Sequence, residues 1–228
     1  MFGLNLDSRS ITFQLLMINI AMFVIKFVMQ LTTGVDLDGI LGMYYAGSPE
    51  FQPVQLVTHF FMHGGLFHIF FNMYTLVMFG ALLERVWGPQ RFLFFYLFTA
   101  LGAALLHQCV QGFEIYQLSG SFFPAIDDIA RMPEVAFKLS IPTIGASGAV
   151  FGIMAGFALL FPNTELMLLF PPMPVKAKYL MIGLAAIELY SGLQSNPHDN
   201  VAHFAHLGGA LFGFLLIRYW NSQRNRLF

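Results

Sequence analysis

The chain has 228 residues, a formal net charge of -1, 57% hydrophobic and only 10% charged residues, and 27 phenylalanines. A soluble domain carries about a quarter charged residues, so this chain lacks the polar surface to dissolve in water and reads as a membrane protein. With no basic run outside the Arg224 to Arg226 tail, nucleic acid is not an expected partner.

A hydrocarbon core about 30 Å thick takes about 20 apolar helical residues to cross. Six stretches approach that length: Ile11 to Leu31, Leu66 to Val86, Arg91 to Gln111, Ile141 to Phe161, Ala177 to Leu193 and Asn200 to Trp220. The first runs too far for a cleaved signal peptide and lacks a small-residue cleavage site, so it is expected to be retained. Helix breakers fall between spans at Gly88-Pro89, Pro162-Asn163, Pro171 to Pro174 and Asn196-Pro197. Neither a repeat nor a second domain interrupts them, and residues 1–228 are read as one six-helix domain.

Charge orients the bundle. Arg9, Arg85, Arg91, Lys176, Lys178, Arg218, Arg224 and Arg226 fall on one side, against Arg131 and Lys138 on the other. The positive-inside rule then makes both termini cytoplasmic. The fold class expected is an all-α membrane protein, a six-transmembrane-helix bundle. Lys26 in the first span and Glu188 in the fifth are ionisable exceptions that need a partner or a polar cavity. Cys109, a lone thiol in an apolar run, builds neither disulfide nor metal knuckle.

Helices two, four and six all descend from the outer side. Ser147, in Gly145-Ala146-Ser147-Gly148, is expected about six residues into the fourth, or roughly 9 Å along its axis. His203 and His206 in the sixth, and His68 and Asn72 in the second, fall at a similar depth. Polar groups there are costly unless they meet one another or line a wet cavity, so their coincidence points to a site.

Serine is a poor nucleophile until a base takes its proton, and histidine is the usual base. Ala202, Gly209, Ala210 and Gly213 lie within roughly 60° of His206 on a helical wheel, forming a small-residue stripe that lets helix six press on the glycine-rich helix four. His206 is therefore preferred to His203 as the base. No acidic residue lies in that layer of helices four or six, and Asp199 is assigned to the outer loop, so two residues rather than three are expected. His68 and Asn72, four apart on one helix face, each offer a donor to an oxyanion, worth roughly 3 to 4 kcal/mol of barrier height. The Ser147 backbone N–H is a further donor candidate, and His59 and His63, before Gly64-Gly65, are read as structural.

The motifs His63 through Asn72 (HGGLFHIFFN), Gly145-Ala146-Ser147-Gly148 and Ala205-His206-Leu207-Gly208-Gly209 with Gly213 occur in this order. Together with Glu84-Arg85-Val86-Trp87-Gly88 and Pro162-Asn163, they resemble the rhomboid intramembrane serine proteases over nearly the whole chain. The resemblance implies a Ser147 nucleophile, a His206 base, and His68 and Asn72 holding the oxyanion. It further implies cleavage of single-span transmembrane proteins near or within the bilayer, with no metal or cofactor. A bacterial cytoplasmic membrane, with the site opening outward, is the expected location. The chain departs from well-studied bacterial members in lacking a Trp-Arg pair between helices one and two, where Tyr44, Tyr45 and Phe51 are expected to anchor the loop at the interface. The outer loop of about thirty residues before helix four, with a short helix expected around Ala125 to Met132, is long enough to be functional.

Hydrolysis needs water in the membrane plane, and a substrate helix must unwind to expose its carbonyls. Helix five, following its proline run, is the expected gate. Two other functions compete: an inactive rhomboid-like client-binding protein, and a bis-histidine haem protein drawing on His59, His63, His68, His107, His203 and His206.

Overall fold

The computed structural model describes residues 7–168, 172–194 and 201–224. Pro171, Asn196, Pro197, Asp199, Asn200 and Arg226 lie outside the described residues. Helix α1 (Ile11–Thr33) starts where Ser10 accepts the Phe13 N–H at 3.2 Å. Glu84, far along the chain, also caps it, accepting from the N–H groups of Ile11 at 2.7 Å and Thr12 at 2.9 Å and from the Thr12 hydroxyl at 2.7 Å. A buried carboxylate here satisfies orphan donors and faces the positive end of the helix dipole. At the other end Gly34 closes the helix with φ 71°, a conformation glycine adopts without strain.

The connection that follows holds α2 (Leu37–Leu41), α3 (Gln55–Thr58) and a 3₁₀ turn, His59–Phe61. Lys26 of α1 pairs with Asp38 of α2 and donates to the His63 carbonyl at 2.8 Å, so its charge is matched within the protein. Tyr44 and Tyr45, expected as interface anchors, are buried instead. Tyr45 donates to the Phe122 carbonyl at 2.9 Å and packs with Ile115, Val135 and Leu139, because the segment 120–140 folds back over it.

The second long helix, Leu66–Trp87, consists of α4 (Leu66–Thr75), a π-helical turn (Leu76–Gly80) and α5 (Ala81–Trp87). After Gly88, α6 (Pro89–Ser119) continues well past the Gln111 end expected from sequence. Ile11–Thr33, Leu66–Trp87 and Pro89–Ser119 are each long and apolar enough to cross a membrane. The segment after α6 carries two short helices rather than one, α7 (Ile126–Arg131) and α8 (Pro133–Ser140), with Lys138 paired to Glu114 at 3.0 Å.

Helix α9 (Ser147–Leu160) begins at Ser147, not at Ile141 as the apolar run predicts. Before it, Thr143 pairs with Met43 in an isolated antiparallel bridge, with N–H to carbonyl distances of 2.8 and 2.9 Å. Pro142 supplies no N–H and disfavours helix in the residue before it, and Gly145 has φ 124°. Strands β1 (Glu165–Met167) and β2 (Pro174–Lys176) then form a small antiparallel hairpin pairing Glu165 with Lys176. Helices α10 (Ala177–Leu193) and α11 (His203–Arg224) complete the order.

Helix α9 runs through the core, with Gly148, Val150, Gly152, Ile153 and Gly156 among its buried residues. Helix α11 packs along it in the same direction. A side chain at Gly209 would collide with the Gly148 carbonyl, and one at Gly213 would come within 3.0 Å of the Gly152 carbonyl. On another side α6 is as close: a Cβ at Gly152 would lie 2.5 Å from the Thr99 Cβ. The small residues thus let backbones meet, which is how helices associate without a hydrophobic driving force in lipid. Among the long helices α10 is the least enclosed, with only Ala177 buried and Tyr179, Ile182, Ile187, Tyr190 and Leu193 exposed.

Candidate active site

Ser147 is the first residue of α9, and the first N–H to bond back along the helix is that of Val150, to the Ala146 carbonyl at 3.0 Å. The N–H groups of Ser147, Gly148 and Ala149 therefore precede the helical ladder, at the positive end of the dipole. The approach to Ser147 is fixed from below. Gly145 donates its N–H to the His59 carbonyl at 2.9 Å, and Thr143 Oγ1 lies 2.9 Å from His107 Nε2.

His206 enters from α11 with Nε2 2.8 Å from Ser147 Oγ, and it is only 9% exposed. The close α9–α11 contact at Gly148 and Gly209 brings the two side chains together. Phe151, one helical turn after Ser147, stacks on the imidazole with ring centroids 4.3 Å apart and planes 5° from parallel. This fixes the ring plane. Its signal in the sequence was the four-residue spacing from Ser147.

His68 reaches the same place from α4. A Cβ at Gly145 would lie 2.8 Å from His68 Nε2 and 3.6 Å from Ser147 Oγ, so the bare α-carbon and positive φ of Gly145 allow both groups to approach. The Gly64 N–H points to His68 Nδ1 at 3.3 Å. Asn72, buried one turn further along α4, donates through Nδ2 to the His68 carbonyl at 2.8 Å. That bond is within its own helix, whereas sequence placed the amide on an oxyanion.

The structure adds a third group that the sequence did not place. Glu188 of α10 lies with Oε2 2.6 Å from His203 Nδ1. His206 Nδ1 is 3.0 Å from the same oxygen, off the line of a straight hydrogen bond. Helices four and six carry no carboxylate in this layer, as expected from sequence; the acid beside the two imidazoles comes from α10, and its partners are His203 and His206. Glu188, His203 and His206 are also the grouping among the described residues that offers three ligand atoms within 4.8 Å of one another. Tetrahedral ligands about 2.0 Å from one zinc ion lie roughly 3.3 Å apart. The 2.6 Å separation of Glu188 from His203 is that of groups sharing a proton.

Of the imidazoles weighed for a haem, His59 Nδ1 lies 2.6 Å from the Gln55 carbonyl oxygen, His107 Nε2 lies 2.9 Å from Thr143 Oγ1, and His203 and His206 face Glu188, whereas His63 is buried with neither ring nitrogen hydrogen-bonded among the described residues.

A family model described as the Rhomboid domain matches residues 50–222. Among curated relatives, the chain is 35% identical over 155 residues to RHOMBOID-like protein 12, mitochondrial, of Arabidopsis thaliana, covering 68% of this chain and 43% of the relative. It is 30% identical over 165 residues to Rhomboid protease AarA of Providencia stuartii, covering 68% of this chain and 51% of the relative. Rhomboid-like protein 16, chloroplastic, of Arabidopsis thaliana is 29% identical over 164 residues, covering 72% and 48%. The chain spans about half the length of these relatives.

Proposed function

The chain belongs to the rhomboid family and is an integral membrane protein, and from that premise we propose that it is an intramembrane serine endopeptidase cleaving single-span transmembrane proteins near or within the bilayer. The observation that carries the proposal is the 2.8 Å approach of Ser147 Oγ to His206 Nε2. Ser147 is the nucleophile and His206 the general base, later returning the proton to the leaving amine. The oxyanion is held by the N–H groups opening α9, with His68 beside them; Asn72 joins if its amide turns from the His68 carbonyl.

The proposal includes six spans, both termini on the cytoplasmic side and a site opening outward; the charge distribution supports that orientation, and Ile11–Thr33, Leu66–Trp87 and Pro89–Ser119 are long and apolar enough to be three of the spans. Residence in a bacterial cytoplasmic membrane belongs to the same proposal, although relatives carry mitochondrial and chloroplastic names as well. Helix α10, the least enclosed of the long helices, is the side from which a substrate enters. The similarity to the Providencia stuartii relative, Rhomboid protease AarA, supports the activity.

The second reading, an inactive client-binding protein, draws on the relatives named only rhomboid-like. A single-span reporter in proteoliposomes separates the two. Wild type cuts it and Ser147→Ala does not; a wild-type protein that binds the reporter and leaves it whole would favour the second.

A further inference from the structure

Glu188 is a carboxylate on α10, the most exposed of the long helices, yet its side chain is only 13% exposed and points inward to two imidazoles. A carboxylate so enclosed is costly unless it is paired. Its bond to His203, 2.6 Å long, would serve to clip α10 to α11. A clip alone does not account for the second contact of the same oxygen, 3.0 Å from Nδ1 of the imidazole that faces Ser147.

Resting on the protease reading, we infer that Glu188 is a positioning residue for His206, so that Ser147, His206 and Glu188 act as a three-membered relay of contacts held by His203. As an acceptor, the carboxylate keeps the His206 ring proton on Nδ1. Nε2 is thereby left bare to accept from the Ser147 hydroxyl. When Ser147 Oγ attacks, the bond from Oγ to the substrate carbonyl carbon forms as the Oγ–H bond breaks, and that proton goes to His206 Nε2. The resulting imidazolium faces Glu188, whose negative charge stabilises it. On collapse of the tetrahedral intermediate the carbon–nitrogen bond breaks, and His206 passes the same proton to the leaving amine. Glu188 neither gains nor loses a proton.

His203 holds the carboxylate, and Phe151 holds the ring plane against rotation away from it. The contact at Nδ1 is off the line of a straight hydrogen bond, as contacts of catalytic groups often are before the transition state tightens them. Because Glu188 stands on α10, displacement of that helix from α11 withdraws it from the base.

The test is steady-state cleavage of a single-span reporter in proteoliposomes by wild type, Ser147→Ala, Glu188→Gln and Glu188→Asp, with thermal unfolding of each. Glu188→Gln is expected to lower kcat about 100-fold with KM unchanged, the scale of losing assistance to a general base. Glu188→Asp keeps the charge on a shorter arm and is expected to fall between, about tenfold below wild type, as a modest misplacement does. A Gln variant with wild-type kcat, a change confined to KM, or an Asp variant no better than Gln would overturn the inference. Where Glu188→Gln does not fold, the Asp variant decides alone: reduced kcat at unchanged KM supports it, and wild-type kcat overturns it. A wild type that cuts nothing, or a Ser147→Ala that still cuts, would instead defeat the protease reading.

Discussion

Ser147 Oγ and His206 Nε2 stand 2.8 Å apart although 59 positions separate them in the chain. Parallel packing of α9 on α11 brings them together, and it depends on glycine at Gly209, where a side chain would strike the Gly148 carbonyl. Gly209→Ala is therefore expected to push the helices apart, lowering the unfolding temperature in detergent and reducing cleavage by more than tenfold, as an ångström-scale misplacement does. A variant as stable and active as wild type would show that the interface is not under this constraint.

The base follows from the same contact. His206→Ala is expected to abolish cleavage, whereas His203→Ala, which removes the group steadying Glu188, retains measurable activity with KM unchanged. The reverse pattern in a reporter assay would assign the base to His203.

Gly145 carries two demands at once, a φ of 124° and room for His68 Nε2 within 2.8 Å of where a Cβ would stand. Gly145→Ala should therefore inactivate. His68→Ala should lower kcat by about 100- to 1000-fold, the usual loss for one oxyanion donor, with KM little changed. The corresponding effect at Asn72 is expected to be smaller, because its Nδ2 already donates to the His68 carbonyl. Equal losses at the two positions would show that the amide turns toward substrate.

His59 gives the connection between α1 and α4 a pH dependence. Burial pushes its imidazole down from 6.5 to about 4, against the raising effect of its bond to the Gln55 carbonyl. Between those values the unfolded chain binds a proton that the folded chain does not, so stability is complete above pH 6.5 and is lost as pH falls toward 4. The shift corresponds to about 3 kcal/mol. Thermal unfolding in detergent at pH 7.5 and pH 4.5 should show the drop, and His59→Gln should flatten it; identical slopes would place the sensitivity elsewhere.

If α10 is the side from which substrate enters, a cross-link from α4 to α10 should stop cleavage of a membrane-embedded reporter while a small soluble acylating reagent still labels Ser147. Unchanged cleavage by the cross-linked protein would move the opening to another pair of helices.

The parts of this arrangement carried by short-range pattern were legible in the sequence: the long apolar runs, the small residues at Gly148, Gly152, Gly209 and Gly213, and the spacing of His68 from Asn72. The start of α9 was misplaced because hydrophobicity continues smoothly through Ile141 to Phe161, although Pro142 and Gly145 held the signal that the backbone there is extended. Tyr44 and Tyr45 were misplaced because the fold of α7 and α8 over them is a long-range event. Glu188 was visible as an acid lacking a partner. Its partner depends on how α10 rotates against α11, which the weak amphipathicity of this exposed helix does not encode.

The most direct measurement is mass-spectrometric mapping of a fluorophosphonate adduct on the purified protein in detergent, for wild type and His206→Ala. One adduct on Ser147 in wild type, lost in His206→Ala while the protein stays folded, is the expected result. A wild type that cuts its reporter yet carries no adduct on Ser147, or an adduct that forms equally fast without His206, would contradict the assignment of nucleophile and base.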